Sequence, residues 1–327
     1  MDSLFNTKKQ LVIHFSQRRV FVYLSLLSYL YGHPCIILVY SLFSVIPMSY
    51  LKRLFYFLHC FIFIITNDIH AKKNETLNPT SFHKGEGLAY QVYYSFIHAG
   101  TVTMDVDEHV HNVHGHNCYK VAVKGTSSNG LGVLGIKIEN IWESYLDINL
   151  LCPHRFTSHI QENNYTRKEQ IDFDYEKQQA KIEITESTHN MDHEVSYHPI
   201  PSKDQIKDLV SGYYSLRNID TTKLKPGDKI HVSVLHDQHV YDDVEIIFLG
   251  KRMITTKLGQ IMTLVFAPLI PTIDGSIFSG ERPVEAYISD DANKIPIKLK
   301  ANLVVGTVDI ELSDYKGLKE ELLFQKS

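Results

Sequence analysis

The chain has 327 residues, 44% of them apolar, with 33 Lys and Arg against 37 Asp and Glu for a formal net charge of −4. Residues 1–71 take six of those bases and two of those acids, leaving 33 less 6, or 27, bases and 37 less 2, or 35, acids in the remainder. So acidic a body excludes a nucleic-acid binder, which needs a basic stripe to neutralise phosphates, and the length suits one large β unit as well as two average domains.

Residues 20–65 are apolar but interrupted. Blocks at 20–30 and 35–46 flank Gly32, His33 and Pro34, and a third at 54–65 follows the basic pair Lys52 and Arg53. This third block has the form of a secretory signal, with a basic start, an apolar centre and a short polar end at Ile69, His70 and Ala71. The sequence therefore predicts a signal peptide over 48–71, cleavage after Ala71, and a periplasmic or otherwise extracytoplasmic body. Residues 1–47 are either an upstream extension of the reading frame or a membrane segment, because about 20 apolar residues span a bilayer and Gly or Pro breaks are tolerated there. Retention of 20–46 would anchor the protein. Residues 72–81 are polar, contain Pro79 and read as a linker.

One all-β domain is predicted over 82–315, followed by a charged tail at 316–327. Its first strands fall at 88–95, where Leu88, Tyr90, Val92 and Tyr94 share a face, then at 100–110 and 119–124, with Ala99 and Gly100 at the first joint. Between the second and third lie His109, His111, His114 and His116. A period of two could gather these imidazoles around a metal, but no carboxylate or thiolate is firmly placed to complete a site, and the sequence favours a solvated hairpin tip. No metal and no cofactor is expected.

Gly130, Gly132 and Gly135 spell G-x-G-x-x-G, yet Ile136 to Glu139 alternate like a strand where the dinucleotide fingerprint needs a helix. The sequence predicts a glycine-rich loop, flexible enough to act as a flap. Strands follow at 136–145, 155–162, 167–175 and 181–185. Trp142, the single tryptophan, shares a face with Ile136 and Ile138, as a core residue or as the wall of a ligand site. Asp172, Asp174 and Glu176 are spaced like calcium ligands, but Lys177 stands where that loop needs Gly, so turn carboxylates are expected. Cys118 and Cys152, the cysteines outside the leader, form one disulfide or remain two small buried hydrophobes.

A helix is predicted over 202–216, with Ser202 as N-cap, Gln205 completing a capping box, and Ile206, Leu209, Val210, Tyr213 and Leu216 on one stripe. Such a helix is a lid over the concave face of a sheet or a crossover between two β halves. Strands at 229–235, 244–249, 253–256 and 261–268 lead to a final meander at 284–289, 295–299 and 304–312. In its last run Val308, Ile310 and Leu312 alternate with Thr307, Asp309 and Glu311, one face apolar and the other wet.

Taken in order, the pattern from Phe82 through Gly85 and Glu86 to Tyr94, then Ala99-Gly100, Glu143 to Asp147 with Pro153, Phe173-Asp174, Tyr213-Tyr214-x-Leu216-Arg217, Gly227-Asp228, and Ser289 to Val308 resembles the DUF3108 family of exported bacterial proteins. The likeness covers about residues 82–315. It implies an all-β fold with one main helix, a large antiparallel curved sheet or half-open β-barrel similar to lipoprotein-carrier folds, and it brings no catalytic residues. The expected function is non-catalytic binding of a lipid or other apolar ligand in the concavity, lined by Tyr90, Tyr94, Trp142, Leu209 and Tyr213. One alternative is an assembly or structural factor that contacts cell-envelope components through its sheet edges. Another is a cell-wall glycan hydrolase using an acid pair such as Glu143 with Asp147 or Asp290 with Asp291.

Overall fold

Alternating apolar residues after position 86 build strands, and nearly every expected run is one. The computed structural model describes residues 81–133, 135–187, 191–200, 206–236, 238–268 and 278–325. The expected extension 1–47, the expected signal peptide 48–71 and all of the expected linker except Ser81 lie outside them. The strands are β1 (Gly87–Tyr94), β2 (Ile97–Val113), β3 (His116–Ser127), β4 (Ile138–Asp147), β5 (Pro153–Glu162), β6 (Tyr165–Asp174), β7 (Gln179–Ser187), β8 (Met191–Pro199), β9 (Ile206–Lys207), β10 (Lys229–His236), β11 (His239–Thr256), β12 (Gly259–Pro268), β13 (Val284–Ser289), β14 (Pro296–Asn302) and β15 (Thr307–Lys316). Helices α1 (Asn129–Val133) and α2 (Leu209–Leu216) and a 3-10 turn at Thr221–Lys223 complete the described elements.

All fifteen strands form one sheet, in the order β8-β7-β6-β5-β4-β3-β2-β1-β15-β14-β13-β12-β11-β10-β9. Pairing is antiparallel throughout except between β9 and β10. The first and last strands of the domain, β1 and β15, are neighbours at the middle of the sheet. The two ends of the order approach each other through side chains: Ser196 Oγ on β8 donates to Gln238 Oε1 at 3.2 Å, and Gln238 Nε2 donates to Glu194 at 3.5 Å. Among the described residues no backbone ladder joins these strands, so the sheet is curved and not closed.

Several expectations change in detail. The runs 244–249 and 253–256 are one strand, β11, whose register against β12 shifts between Phe248 and Gly250. Gly250 has φ +103°, a conformation that favours glycine, so the bulge bends the strand without ending it. Gly100 lies inside β2, where a Cβ would stand 2.2 Å from the Thr126 carbonyl oxygen; close approach explains it, and the β1–β2 turn sits at Ser95 and Phe96. The glycine-rich stretch forms the single turn α1 rather than a loop. Cys118 and Cys152 are buried thiols that form no disulfide. Burial, with Asp147 and Cys152 near it, pushes the Cys118 thiol up to about 12. The expected charged tail is tied to the sheet: Gln325 bridges to Gln260, Leu322 is buried, and Asn293 Nδ2 donates to the Glu320 carbonyl.

The inner face carries Leu88, Tyr90 and Val92 of β1, Ile138, Trp142 and Leu146 of β4, and Val308, Ile310 and Leu312 of β15, all buried. These are the even-numbered positions that alternation marks as apolar. Removing each large side chain from water contributes roughly 1.5–3 kcal/mol, which makes this face the principal source of cohesion.

Candidate functional site

Helix α2 starts at Leu209, later than the expected 202–216, because its N-cap is Asp208 and not Ser202. Asp208 Oδ1 accepts the amides of Val210 and Ser211 at 2.8 Å each, and Ser211 Oγ accepts the Asp208 amide at 2.8 Å. That is a capping box with Ser in place of Gln205, which lies outside the described residues. Ile206 and Lys207 are drawn instead into β9, beside Ser233 and Val234. The second Asp208 oxygen accepts Ser144 Oγ of β4 at 2.6 Å, so one carboxylate both starts the helix and fixes it to the inner face. Burial pushes the Asp208 carboxyl up, against the pull of its donors on Ser144, Ser211 and Val210.

The helix ends on Arg217. Its Nη1 and Nη2 donate to the two Glu86 oxygens at 2.5 and 2.7 Å, Nε donates to the Asn293 carbonyl at 2.9 Å, and Nη2 to the Ser81 carbonyl at 3.0 Å. Rings of Phe82, Tyr213 and Tyr214 surround the guanidinium at 5.2–5.6 Å. Both partners are fully buried. Burial opposes the Arg217 charge, but Tyr213 and Glu86 raise its pKa overall. A bidentate pair with its remaining donors satisfied is the arrangement in which a buried guanidinium is tolerable. The hydroxyls of Tyr90 and Tyr213 reach the same neighbourhood without a hydrogen bond of normal geometry.

Beside this cluster the interior opens. A narrow cleft, with an interior void of about 30 Å3, lies between α2 with the segment after it and strands β10 to β13. Ile230, Ile246, Leu264, Phe266 and Ile288 of the strands line it together with Tyr213, Leu216, Arg217 and Ile219 of the helix and the segment after it, and Lys294. Lys294 Nζ donates to the Ile219 carbonyl, and burial holds its pKa below the ordinary lysine range.

Of the five residues expected to line a ligand site, Tyr213 alone borders this cleft. Tyr90, Trp142 and Leu209 are about 1% exposed and fill the space where α2 meets the sheet. Tyr94 stands apart at the end of β1, its hydroxyl donating to the Val305 carbonyl at 2.7 Å in the β14–β15 turn. Sequence reasoning missed Arg217 and Lys294 as site residues, although Arg217 closes the Tyr-Tyr-x-Leu-Arg pattern and its partner Glu86 sits in the first quoted motif. The acids proposed for hydrolysis are ion-paired, Glu143 with Lys120 at 2.8 Å and Asp290 with Lys251 at 2.6 Å. Asp172 and Asp174 likewise hold Arg155 and Lys177, not a calcium loop.

These features define a class: an open β-sheet protein whose inner face is partly filled by a helix and partly left as an apolar cleft. The sequence matches the model of DUF3108, described as a protein of unknown function, over residues 89–313, and the chain belongs to that family. No curated protein matches it. Among solved structures it is similar to a beta-barrel-like protein of the DUF1849 domain from Brucella abortus, at 8% identity and a TM-score of 0.42, over 72% of this chain and 98% of that one. It is also similar to a protein from Bacteroides fragilis described as exported and YmcC-like in fold, at 8% identity and a TM-score of 0.31, over 72% and 97%. Likenesses this distant carry no argument about function. Among the described residues no helix is long and apolar enough to cross a membrane.

Proposed function

We propose that this protein works outside the cytoplasm as a non-catalytic binder of a lipid or other amphiphile, held in the cleft between α2 and strands β10 to β13. The observation that carries this reading is the lining of the cleft, which is aliphatic and aromatic, with Leu216 and Ile219 joining the side chains of β10 to β13, and which has Arg217 and Lys294 at its border. A buried apolar wall favours an acyl chain or comparable hydrocarbon, and a desolvated ammonium at its border favours a ligand with an anionic or strongly accepting end. The extracytoplasmic setting rests on the signal-like residues 48–71. Protein prepared without detergent should show a bound mass in native mass spectrometry, and Ile246→Trp, which fills the cleft, should remove it while Tyr94→Ala keeps it. Absence of any adduct in the wild type, or its survival in Ile246→Trp, overturns the reading.

The second reading, an assembly factor acting on cell-envelope components, draws support from the filled part of the interior and from β8, an edge strand that exposes Val195 and Tyr197. Edge strands with free backbone groups are ready templates for another chain. Crosslinking from a photoreactive group at Tyr197 separates the two, since only the assembly role requires a discrete protein product there.

A further inference from the structure

The ends of β3, β4 and β5 bring together three side chains that lie far apart in sequence. His116 opens β3, Asp147 closes β4 and His154 lies at the start of β5. Antiparallel register puts them at one end of the sheet, with Cys118 opposite Asp147 and Pro153 opposite Leu146. One ligand atom from each of the three lies within 4.8 Å of the others. Asp147 Oδ2 is 3.5 Å from His154 Nε2 and 3.9 Å from His116 Nδ1, and the two imidazoles stack at 3.9 Å with 11° between their planes.

An ordinary turn explains only part of this arrangement. Asp147 Oδ1 accepts the amides of Asn149 and Leu150 at 2.8 and 2.9 Å, which is the work of a turn carboxylate. Its other oxygen is left facing both imidazoles. His154 has a side chain only 6% exposed, yet its Nε2 makes no hydrogen bond of normal geometry. A buried nitrogen whose facing carboxylate oxygen, on Asp147, stands off at 3.5 Å is poorly satisfied and calls for a closer partner. Tyr175 packs edge-on against the His154 ring at 5.7 Å and donates its own hydroxyl to the Pro153 carbonyl, which fixes the imidazole from behind. The closer partner therefore has to arrive from the side of Asp147 and His116, and His116 is half exposed.

We propose that His116, Asp147 and His154 form a binding site for a divalent transition metal of the zinc type. Two imidazoles and one carboxylate are the donors such ions take, whereas calcium and magnesium take mostly oxygen ligands, of which this site offers one carboxylate. Zinc bonds of about 2.0–2.1 Å to nitrogen and oxygen place neighbouring tetrahedral ligand atoms roughly 3.3 Å apart. The present spacings of 3.5 and 3.9 Å to Asp147 already approach that value, and the half-exposed His116 is the member with room to adjust. Three protein ligands leave the fourth position toward solvent, open to water or to a donor from a partner. Cys118 and Cys152 lie nearby but outside the three-residue group. The site differs from His109 and His111, which share Asp107 on the exposed flank of β2 and have no buried member.

The experiment is a titration of the purified, chelator-treated protein with ZnCl2 by calorimetry, with Co2+ as an optical probe of tetrahedral ligation. One equivalent should bind with micromolar or tighter affinity, and Co2+ should give intense visible bands. His116→Gln, at an exposed position that leaves the fold intact, should weaken binding by more than the roughly 10-fold that even outer-shell changes cost. His154→Gln should do the same if circular dichroism shows it folded, and His109→Gln should leave affinity unchanged. No saturable binding in the wild type overturns the proposal. So does equal affinity in His116→Gln, or a loss of affinity confined to His109→Gln.

Discussion

The inner face of one sheet is treated in two ways. Under α2, from β1 to β4, aromatic and aliphatic side chains pack against the helix, and its charged groups are paired: Asp208 with Ser144, and Arg217 with Glu86 and the Asn293 carbonyl. Across β10 to β13 the same alternation supplies Ile230, Ile246, Leu264, Phe266 and Ile288, but α2 reaches this side at β9 and β10, and a narrow cleft remains. The strands cannot tell the two regions apart, since both present apolar even faces. What differs is the covering element, which is eight residues long and anchored at both ends over the first region.

The sharpest way to break this comparison is to remove the anchor. Arg217→Met leaves Glu86 buried without its partner and should cost about 3–5 kcal/mol in urea denaturation, whereas the double change Glu86→Gln with Arg217→Met should recover much of that. A smaller cost, below about 1 kcal/mol, would mean that water reaches the pair and the region is not closed.

Truncation tests the packing itself. Leu209→Ala, in the filled region, should cost about 2–5 kcal/mol, because the surroundings of a deleted core side chain relax only in part. Ile246→Ala should fall at or below the lower end of that range, since one side of Ile246 already faces open space. Equal losses would show the cleft to be collapsed in solution.

Much of the sheet was legible because period-two alternation is a local signal. Val308, Ile310 and Leu312 are buried as their pattern demands, and the meander from 284 to 316 has the expected order. The helix start was not legible: Ser202 with Gln205 and Asp208 with Ser211 both satisfy a capping rule, and the choice is made by Ser144, which is 64 positions from Asp208. The same holds for the metal-ligand cluster, where His116 is drawn from a run that looked self-contained and completed by Asp147 and His154 on two other strands. Trp142 and Leu209 were placed on the correct face, but whether that face holds a ligand or a core depends on how far the helix reaches, and no spacing encodes that.

Acidity offers a third probe, confined to the helix start. Because burial raises the Asp208 carboxyl above its unfolded value, the folded state binds the proton more readily. This group's contribution to stability is therefore greatest below the unfolded pKa and declines as pH rises through the folded one. Asp208→Asn keeps a capping oxygen and removes the titration, so the stability of the wild type relative to this variant should improve as pH falls from 7 toward 4. A shift in the opposite direction would show that the donors on Ser144, Ser211 and Val210 outweigh burial.

The smallest expected effect is the most specific to function. Tyr213 is the residue common to both regions: its ring stacks edge-on with Tyr214 at 5.0 Å beside Arg217, and it also borders the cleft. Its hydroxyl is buried beside the Arg217 guanidinium without a hydrogen bond of normal geometry, so Tyr213→Phe removes a weakly matched polar atom and keeps the ring. Stability should change by no more than about 0.5 kcal/mol, or rise slightly, because the wild-type group already bears its desolvation cost. Ligand retention need not follow stability. If the polar end of a bound amphiphile meets that hydroxyl, the adduct seen by native mass spectrometry should dissociate at lower collision energy in the variant. An unchanged adduct with unchanged stability would place the ligand's polar end at Lys294 instead, and Lys294→Met should then release it while the filled region under α2 stays folded.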